Sequence, residues 1–164
     1  MPIQTGGSGD EPIAKLGGKP YRLLVAAQVA KAFAGADLFV YEEVPFGSSI
    51  MGKDRHVDIL VLSRKTGRAV GLQAKYQAVA GTTDEKIHYA LADCAAMWTP
   101  CVVVYGGPGW SLGVRHTLEA SRHAVRAEIV NGEIRESAEL DTFVAAQFGL
   151  WATILKDKKP VAAT

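Results

Sequence analysis

The sequence contains few of the features that identify membrane, secreted or zinc-stabilised proteins. Its 164 residues include two cysteines, Cys94 and Cys101, whose spacing fits neither a CxxC pair nor a Cys/His zinc site. We therefore expect two reduced, mostly buried thiols. The longest apolar runs, such as Cys101 to Tyr105, are far too short to cross a bilayer. The first residues lack the basic and apolar regions of a signal peptide, so we expect a cytoplasmic location.

Motifs for covalent catalysis and for nucleotide binding are also missing. No serine has a GxSxG context, and neither cysteine has a histidine partner at a suitable spacing. Gly106-Gly107-Pro108-Gly109 lacks the Lys-Ser/Thr ending of a P-loop and the spacing of GxGxxG. We interpret it as a tight loop between a strand and a helix. Trp110 beside it either packs or stacks on a base, and packing is the preferred interpretation.

The net charge of +1 excludes a strongly basic protein of the kind that binds nucleic acid constitutively. The charge is nevertheless uneven. Six lysines and arginines lie between Lys53 and Lys75, whereas acidic residues collect between Glu128 and Asp141. A local basic surface is therefore compatible with the near-neutral total.

The length predicts one domain with a substantial core. We expect a flexible N-terminal arm over residues 1–18, a single domain over 19–155 and a basic tail over 156–164. Turn residues and hydrophobic periodicity predict helices and strands in alternation. The predicted elements are a helix over Lys19–Phe33, strands over Asp37–Val44, His56–Ser63 and Arg68–Gln77, a helix from a Thr82-Thr83-Asp84-Glu85 capping box to Trp98, a strand over Cys101–Tyr105, a helix over Ser111–Val125, a hairpin about Asn131-Gly132, and a helix over Ser137–Leu155.

This order predicts a three-layer fold of the α/β or α+β class. Pro45 to Ser49 are predicted to end the first strand and to open a loop that reaches Asp54. A central hairpin followed by strand-helix alternation favours one sheet with helices packed on both of its faces.

Polar residues lie at matching ends of two neighbouring predicted strands. Asp58 begins the apolar run Ile59 to Leu62, and Gln73, Lys75 and Gln77 alternate along the next strand. Residues two apart in a strand share a face, so these side chains are expected at one end of the hairpin. A buried lysine without a partner is costly, so Lys75 should face an acid, a metal-bound water or a phosphate.

Asp58 and Gln73-Ala74-Lys75 resemble the motif of the PD-(D/E)xK nuclease superfamily, whose members have the restriction-endonuclease-like fold. The Gln-x-Lys form is similar to the Mrr-type branch, in which Gln replaces the usual Glu. Val57 stands where the motif has Pro. The resemblance covers roughly residues 19–105. It implies a three-layer core with a central mixed sheet flanked by helices, in the order αβββαβ, followed by further C-terminal helices.

The resemblance also implies roles for the residues of the motif. Asp58, Gln73 and the carbonyl of Ala74 would bind Mg²⁺, with Mn²⁺ as a substitute, because hard cations prefer oxygen ligands. Lys75 would orient or deprotonate the attacking water, or stabilise the transition state. Gln77 would position the water or contact DNA. The replacement of a carboxylate by Gln73 removes one negative charge and should weaken metal binding.

Further residues are candidates at the edge of this site. Glu43 or its neighbour Glu42 would supply one more carboxylate, since strand alternation lets only one of them face the site; Glu43 enters the predicted ligand set. Lys53, Arg55 and His56 are candidate DNA contacts. The alternative for both glutamates is a surface position, and for His56 a hydrogen-bonded position without a part in binding.

The leading hypothesis from the sequence is a Mg²⁺-dependent DNA endonuclease that acts as a homodimer or with a partner. The alternative is a catalytically inactive nuclease-like module for DNA binding or assembly, which Gln73 favours. A module that binds only protein is a third hypothesis. Two simpler interpretations of the motif also stay open: a structural ion pair between Asp58 and Lys75, and a solvated sheet face carrying Gln73 and Gln77.

Overall fold

The computed structural model describes residues 18–81 and 83–162. The predicted arm therefore lies outside the described residues except for Gly18, and so does Thr82 of the predicted capping box. The domain boundaries at residues 19 and 155 stay predictions. The elements are α1 (Gly18–Ala32), β1 (Leu38–Ser48), β2 (Asp54–Ser63), β3 (Ala69–Tyr76), α2 (Thr83–Ala95), β4 (Cys101–Gly106), α3 (Leu112–Ala120), β5 (Ala124–Arg126), β6 (Glu128–Val130), β7 (Glu133–Glu136), α4 (Ala138–Phe148) and α5 (Trp151–Leu155).

The first five strands form one mixed sheet in the order β1-β2-β3-β4-β5. β1, β2 and β3 pair antiparallel, whereas β3, β4 and β5 run parallel to one another. The crossover from β3 to β4 passes through α2, as a parallel connection requires. β6 and β7 form a separate hairpin.

Helices cover both faces of the sheet. All six residues of β4 are buried, which is typical of a strand with helices on either side. Val102 and Val104 pack in one core with residues of α1 and α4, including Val25 and Leu140. The alternate residues of β4 belong to a second core, which contains Ile87 of α2. The predicted three-layer α/β fold of the restriction-endonuclease-like kind is therefore confirmed.

The first predicted strand ends too early. β1 continues through Pro45 to Ser48, and Pro45 pairs with His56. A proline is tolerated here because β1 is an edge strand, where an N–H directed away from the sheet is not needed. The register shifts between Pro45 and Ser48, and Gly47 has a φ of +74°, so the strand bends where proline and glycine replace regular pairing.

The predicted helix over residues 111–125 is also too long. α3 ends at Ala120, and Val125 lies in β5, opposite Val104 of β4. Ser121 is extended, with φ −83° and ψ 132°, so the backbone leaves the helix there. The apolar residues that follow are buried by pairing with the sheet, which local periodicity does not reveal.

Glycine divides the predicted C-terminal helix over residues 137–155. Gly149 adopts a left-handed conformation with φ 70°, and its N–H donates to the carbonyl of Ala145. This is the usual glycine end of a helix, so α4 stops and α5 begins separately at Trp151. The hairpin predicted about Asn131-Gly132 is confirmed, with φ of 52° and 78° at its turn. No helix among the described residues is long and apolar enough to cross a membrane.

Candidate active site

A cleft of about 530 Å³ opens at one end of the β2–β3 hairpin. Its walls are the loop between β1 and β2, the beginning of β2, the second half of β3 and one face of α2. Asp58, Gln73 and Lys75, which the sequence predicted to meet, all line it. The cleft is also lined by Ser49, Ile50, Met51, Lys53, Asp54, Arg55, His56, Lys86, Tyr89, Ala90 and Asp93.

The cleft forms where the pairing of β2 with β3 stops. The two strands pair from Leu62–Ala69 to Ile59–Leu72 and no further. Beyond this point the Ala74 N–H donates to Asp58 Oδ2 at 2.8 Å, and the Asp58 N–H donates to Gln73 Oε1 at 3.3 Å. Side-chain oxygens therefore take the places that backbone carbonyls occupy in a regular ladder. This exchange holds Asp58 and Gln73 beside each other at the end of the hairpin.

The Asp58 carboxyl is half-buried, and burial raises its pKa above the ordinary value. The Ala74 N–H and the positive charges of Lys75 and Arg22 oppose this shift, whereas the charge of Glu43 adds to it. Burial is the largest of these effects because it removes water from the charged form. A cation in the cleft would lower the energy of the ionised carboxylate.

Lys75 lies close to Asp58 without pairing with it. Its charge lowers the pKa of Asp58, yet no ion pair joins the two described side chains. The interpretation as a structural ion pair is therefore not supported. The Lys75 ammonium keeps its hydrogen-bond donors available for another group in the cleft.

The two glutamates of β1 are held by α1. Arg22 Nη1 lies 2.9 Å from Glu43 Oε1, and Arg22 Nε lies 3.5 Å from Glu42 Oε1. Neither glutamate lines the cleft, although the charge of Glu43 acts on Asp58. Glu43 also has a φ of 51°, which is unusual for a residue with a side chain. Its function as a metal ligand stays a prediction.

Gln77 lies outside the cleft, in contrast to its predicted position beside Gln73 and Lys75. Its side chain is buried and donates from Nε2 to Asp84 Oδ1 and to the Gly109 carbonyl, each at 2.9 Å. The predicted position is wrong because β3 ends at Tyr76, so strand alternation no longer applies to the next residue. The predicted role of Gln77 stays a prediction. Gln77 instead links the first turn of α2 to the loop after β4.

Trp110, in that loop, is 5% exposed and donates from Nε1 to the Gly106 carbonyl at 3.0 Å. The preferred interpretation of Trp110 as a packed residue is therefore confirmed. A side chain at Gly107 would collide with the backbone of Gln77, which explains why the loop contains glycine at this position.

Arg55 has a structural role in the fold, and its contact with DNA stays a prediction. Its side chain is 5% exposed and forms a bidentate pair with Asp93 of α2, with distances of 3.0 Å from Nε to Oδ2 and 2.7 Å from Nη2 to Oδ1. The Asp93 carboxylate offsets the charge of this guanidinium, and the pair uses two of its five N–H donors. Lys53 and His56 are exposed in the cleft, and their contact with DNA stays a prediction.

The sequence interpretation missed the contribution of α2. Lys86, Tyr89 and Asp93 lie three and four residues apart, so they share the helix face that borders the cleft. This spacing was visible in the sequence, but nothing in it showed that this face of the helix meets the hairpin. Together with Lys53 and Lys75, Lys86 supplies a third lysine to the cleft.

The oxygen atoms of the cleft fit a hard cation that keeps part of its water shell. Asp58 contributes a carboxylate, whose Oδ1 accepts no hydrogen bond from the described residues. Gln73 contributes an amide oxygen, and both are ligand types that Mg²⁺ accepts. Within residues 18–81 and 83–162, no three His, Cys, Asp or Glu side chains cluster as a metal site. Asp58 and Gln73 are thus oxygen donors of the type that a divalent cation accepts.

The family of the chain follows from comparison with known protein families. A family model described as a PD-(D/E)XK nuclease superfamily domain matches residues 16–151. The chain belongs to the PD-(D/E)XK nuclease superfamily. The match extends beyond the αβββαβ core and includes β5, the β6–β7 hairpin and α4.

Two solved structures are similar to this chain over part of their length. No curated protein matches this chain significantly. One is the crystal structure of a protein of unknown function, with 10% sequence identity and a TM-score of 0.39 over 61% of this chain and 53% of that chain. The other is a repair endonuclease from Pyrococcus abyssi, with 13% identity and a TM-score of 0.36 over 63% of this chain and 43% of that chain. This chain thus spans about half or less of either relative. The family assignment depends on the matched residues 16–151 alone.

Replacement of Arg55 should lower the stability of the fold, whereas replacement of Lys53, a predicted DNA contact, should leave stability nearly unchanged. Arg55→Ala leaves the partly buried Asp93 without its guanidinium partner, so we expect the free energy of unfolding to fall by about 2 kcal/mol. Lys53→Ala removes an exposed charge and should change stability by less than about 0.5 kcal/mol. Urea denaturation of both variants measures this difference. Equal stability of the two variants would contradict the structural assignment of Arg55.

The raised pKa of Asp58 predicts that the stability difference between wild type and the Asp58→Asn variant depends on pH. When a carboxyl group has a higher pKa in the folded state than in the unfolded state, the protein loses stability as the pH rises through the folded-state pKa. Asp58→Asn cannot ionise and can still accept the Ala74 hydrogen bond, so the variant should be more stable than wild type at pH 7. The difference should shrink as the pH falls toward the ordinary Asp pKa. Denaturation from pH 8 to pH 4.5 measures it, with the exposed Asp157→Asn as the matched control; a pH-independent difference would contradict the prediction.

Proposed function

We propose that this chain is a Mg²⁺-dependent DNA endonuclease that hydrolyses phosphodiester bonds by metal-assisted attack of water. The observation that carries the proposal is the meeting of Asp58, Gln73 and Lys75 in one cleft, at the end of a hairpin whose pairing stops there. An acid, an amide oxygen and a free ammonium are the groups needed to hold a cation and to bind a phosphate beside it.

Asp58, Gln73 and the carbonyl of Ala74 would hold Mg²⁺, or Mn²⁺ in its place. When bound, the ion lowers the pKa of water and neutralises charge on the phosphate. The Ala74 N–H fixes one oxygen of Asp58, which leaves the other oxygen available to a ligand in the cleft. Gln73 is oriented by the Asp58 N–H, so its amide oxygen is held beside the carboxylate.

Lys75 acts on the phosphate or on the attacking water. Its ammonium forms no ion pair with Asp58, so it can donate to a non-bridging oxygen and stabilise the negative charge of the pentavalent transition state. In the alternative arrangement, Lys75 orients the water for attack. Both arrangements require Lys75 and Asp58 together.

The surroundings of the cleft suit a DNA strand. Lys53, Lys86 and His56 are exposed along its walls, where they would contact phosphates. A domain of this size has one such acid-amide-lysine group among its described residues, so cleavage of both strands favours a homodimer with one site per strand. A cytoplasmic location belongs to the same proposal.

A catalytically inactive DNA-binding or assembly module is the second candidate. The observation that favours it is Gln73, which stands where the superfamily motif has a carboxylate. The described residues contain no cluster of three acidic, histidine or cysteine ligands, so a bound cation would depend on few protein charges. The lysines of the cleft would then bind phosphate without hydrolysis.

Plasmid nicking separates the two candidates. Wild-type protein with Mg²⁺ or Mn²⁺ should convert supercoiled plasmid to the nicked or linear form, and chelation of the metal should stop the reaction. Asp58→Asn and Lys75→Ala should each lower the rate by about 100-fold or more, because each removes a group that acts in the transition state. Gel electrophoresis over time measures the rates.

Lys65→Ala is the matched control, because Lys65 is exposed in the turn between β2 and β3, outside the cleft. Nicking that survives in Asp58→Asn and in Lys75→Ala would overturn the proposed site. No nicking by wild type, with salt-sensitive DNA binding that Lys86→Ala weakens, would favour the inactive module.

Gln73→Glu restores the usual carboxylate and should strengthen metal binding. The added charge favours a divalent cation, so the Mg²⁺ concentration for half-maximal nicking should fall about tenfold. A metal titration of the nicking rate measures this change, and Gln147→Glu, outside the cleft, is the matched control. An unchanged or higher Mg²⁺ requirement would contradict Gln73 as a ligand.

A further inference from the structure

The loop between β1 and β2 exposes apolar side chains at the rim of the cleft. Ile50 is 47% exposed and Met51 is 57% exposed, and both line the cleft that contains Asp58. Burial of either side chain in the core would stabilise the protein, whereas exposure in water does not. Two adjacent exposed apolar residues beside a charged cleft therefore indicate a contact with another molecule.

Hydrogen bonds hold this loop in a defined shape. Ser49 N–H donates to the Lys53 carbonyl at 2.7 Å, and Ser49 Oγ accepts from the N–H groups of Met51 and Lys53, each at 3.3 Å. The Ile50 N–H donates to Asp93 Oδ1 of α2 at 3.0 Å. Asp93 is itself held by the buried Arg55. The apolar tip, defined as Ile50 and Met51, is thus presented at a fixed place above the cleft.

Tyr89 borders the cleft from α2, on the side opposite the strands. Its ring is 55% exposed, and it lies three residues from Lys86 on the same helix face. Lys53 follows the apolar tip in the loop. An exposed ring and an apolar tip thus lie beside two lysines, an arrangement typical of surfaces that stack on bases and bind phosphates.

We propose that the apolar tip and Tyr89 contact the faces of unpaired bases, so that the preferred substrate is single-stranded DNA or DNA with an unpaired segment next to the cleavage position. This inference rests on the proposed nuclease function and specifies its substrate class. Paired and stacked bases present only their edges in the grooves, whereas unpaired bases present faces on which a ring packs. Lys53 and Lys86 bind the phosphates of the same strand.

Binding without metal tests the inference independently of cleavage. Fluorescence anisotropy in EDTA compares a labelled single strand with the duplex of the same sequence. Wild type should bind the single strand more tightly. Tyr89→Ala and Met51→Ser should each weaken single-strand binding by about fivefold or more, the effect of losing one stacking contact. Tyr89→Phe should retain wild-type binding, because the ring remains.

Salt dependence distinguishes the base contacts from the phosphate contacts. Lys86→Ala should lower the slope of log affinity against log salt concentration by about 0.7, whereas Tyr89→Ala should leave the slope unchanged. Leu112→Ser is the matched apolar control, because Leu112 is 69% exposed on α3 and does not line the cleft. This variant should bind like wild type.

Three results would overturn the inference: tighter binding to duplex, single-strand binding that neither Tyr89→Ala nor Met51→Ser weakens, and no measurable binding to either DNA. An equal loss of duplex binding in the variants would also overturn it, and would indicate a wedge between paired bases. If nicking depends on Asp58 and Lys75 but Tyr89→Ala and Met51→Ser bind single-stranded DNA like wild type, the base contacts are overturned and the nuclease function is not. Stacking effects without any nicking would overturn the nuclease activity alone.

Discussion

The hydrogen bond from the Ala74 N–H to the Asp58 carboxylate, 2.8 Å long, organises the whole site. It forms where the β2–β3 ladder ends, so a side chain satisfies a backbone donor that would otherwise face the opening between the strands. Gln73 accepts from the Asp58 N–H in the same exchange. Because the two strands stay joined in this manner, the cleft can open at the end of a sheet whose centre remains fully packed.

The site carries an energetic cost that the surrounding structure offsets. Burial of the Asp58 carboxyl disfavours its charged form, and Lys75, on the next strand, compensates only in part because it does not pair with it. Stability comes instead from apolar packing on both faces of β4 and from the Arg55–Asp93 pair, which joins β2 to α2. Among the described residues, Lys75 and the Oδ1 atom of Asp58 thus have no hydrogen-bond partner, whereas Arg55 and Asp93 are paired with each other.

Several differences between the sequence interpretation and the structure have a physical origin. Gln77 follows the pattern of Gln73 and Lys75 but lies past the end of β3, where the alternation of faces no longer applies. Arg55 lies in a basic segment, and the sequence did not indicate that Asp93, 38 residues later in the chain, pairs with its guanidinium. Val125 looks helical from its neighbours, yet it pairs with β4. For Arg55 and Val125 a partner distant in sequence decides the outcome, and local spacing carries no information about that partner.

The sequence by itself determined the order of the αβββαβ core, the hairpin that brings Asp58 to Gln73 and Lys75, and hence the superfamily. These features depend on periodicity, turn residues and strand alternation, which are local properties of the chain. Only the tertiary structure decided which basic residues are free and which are paired, that α2 forms a wall of the cleft, and that Ile50, Met51 and Tyr89 are exposed there. These depend on the packing of one element against another, because burial and pairing are properties of the assembled surfaces.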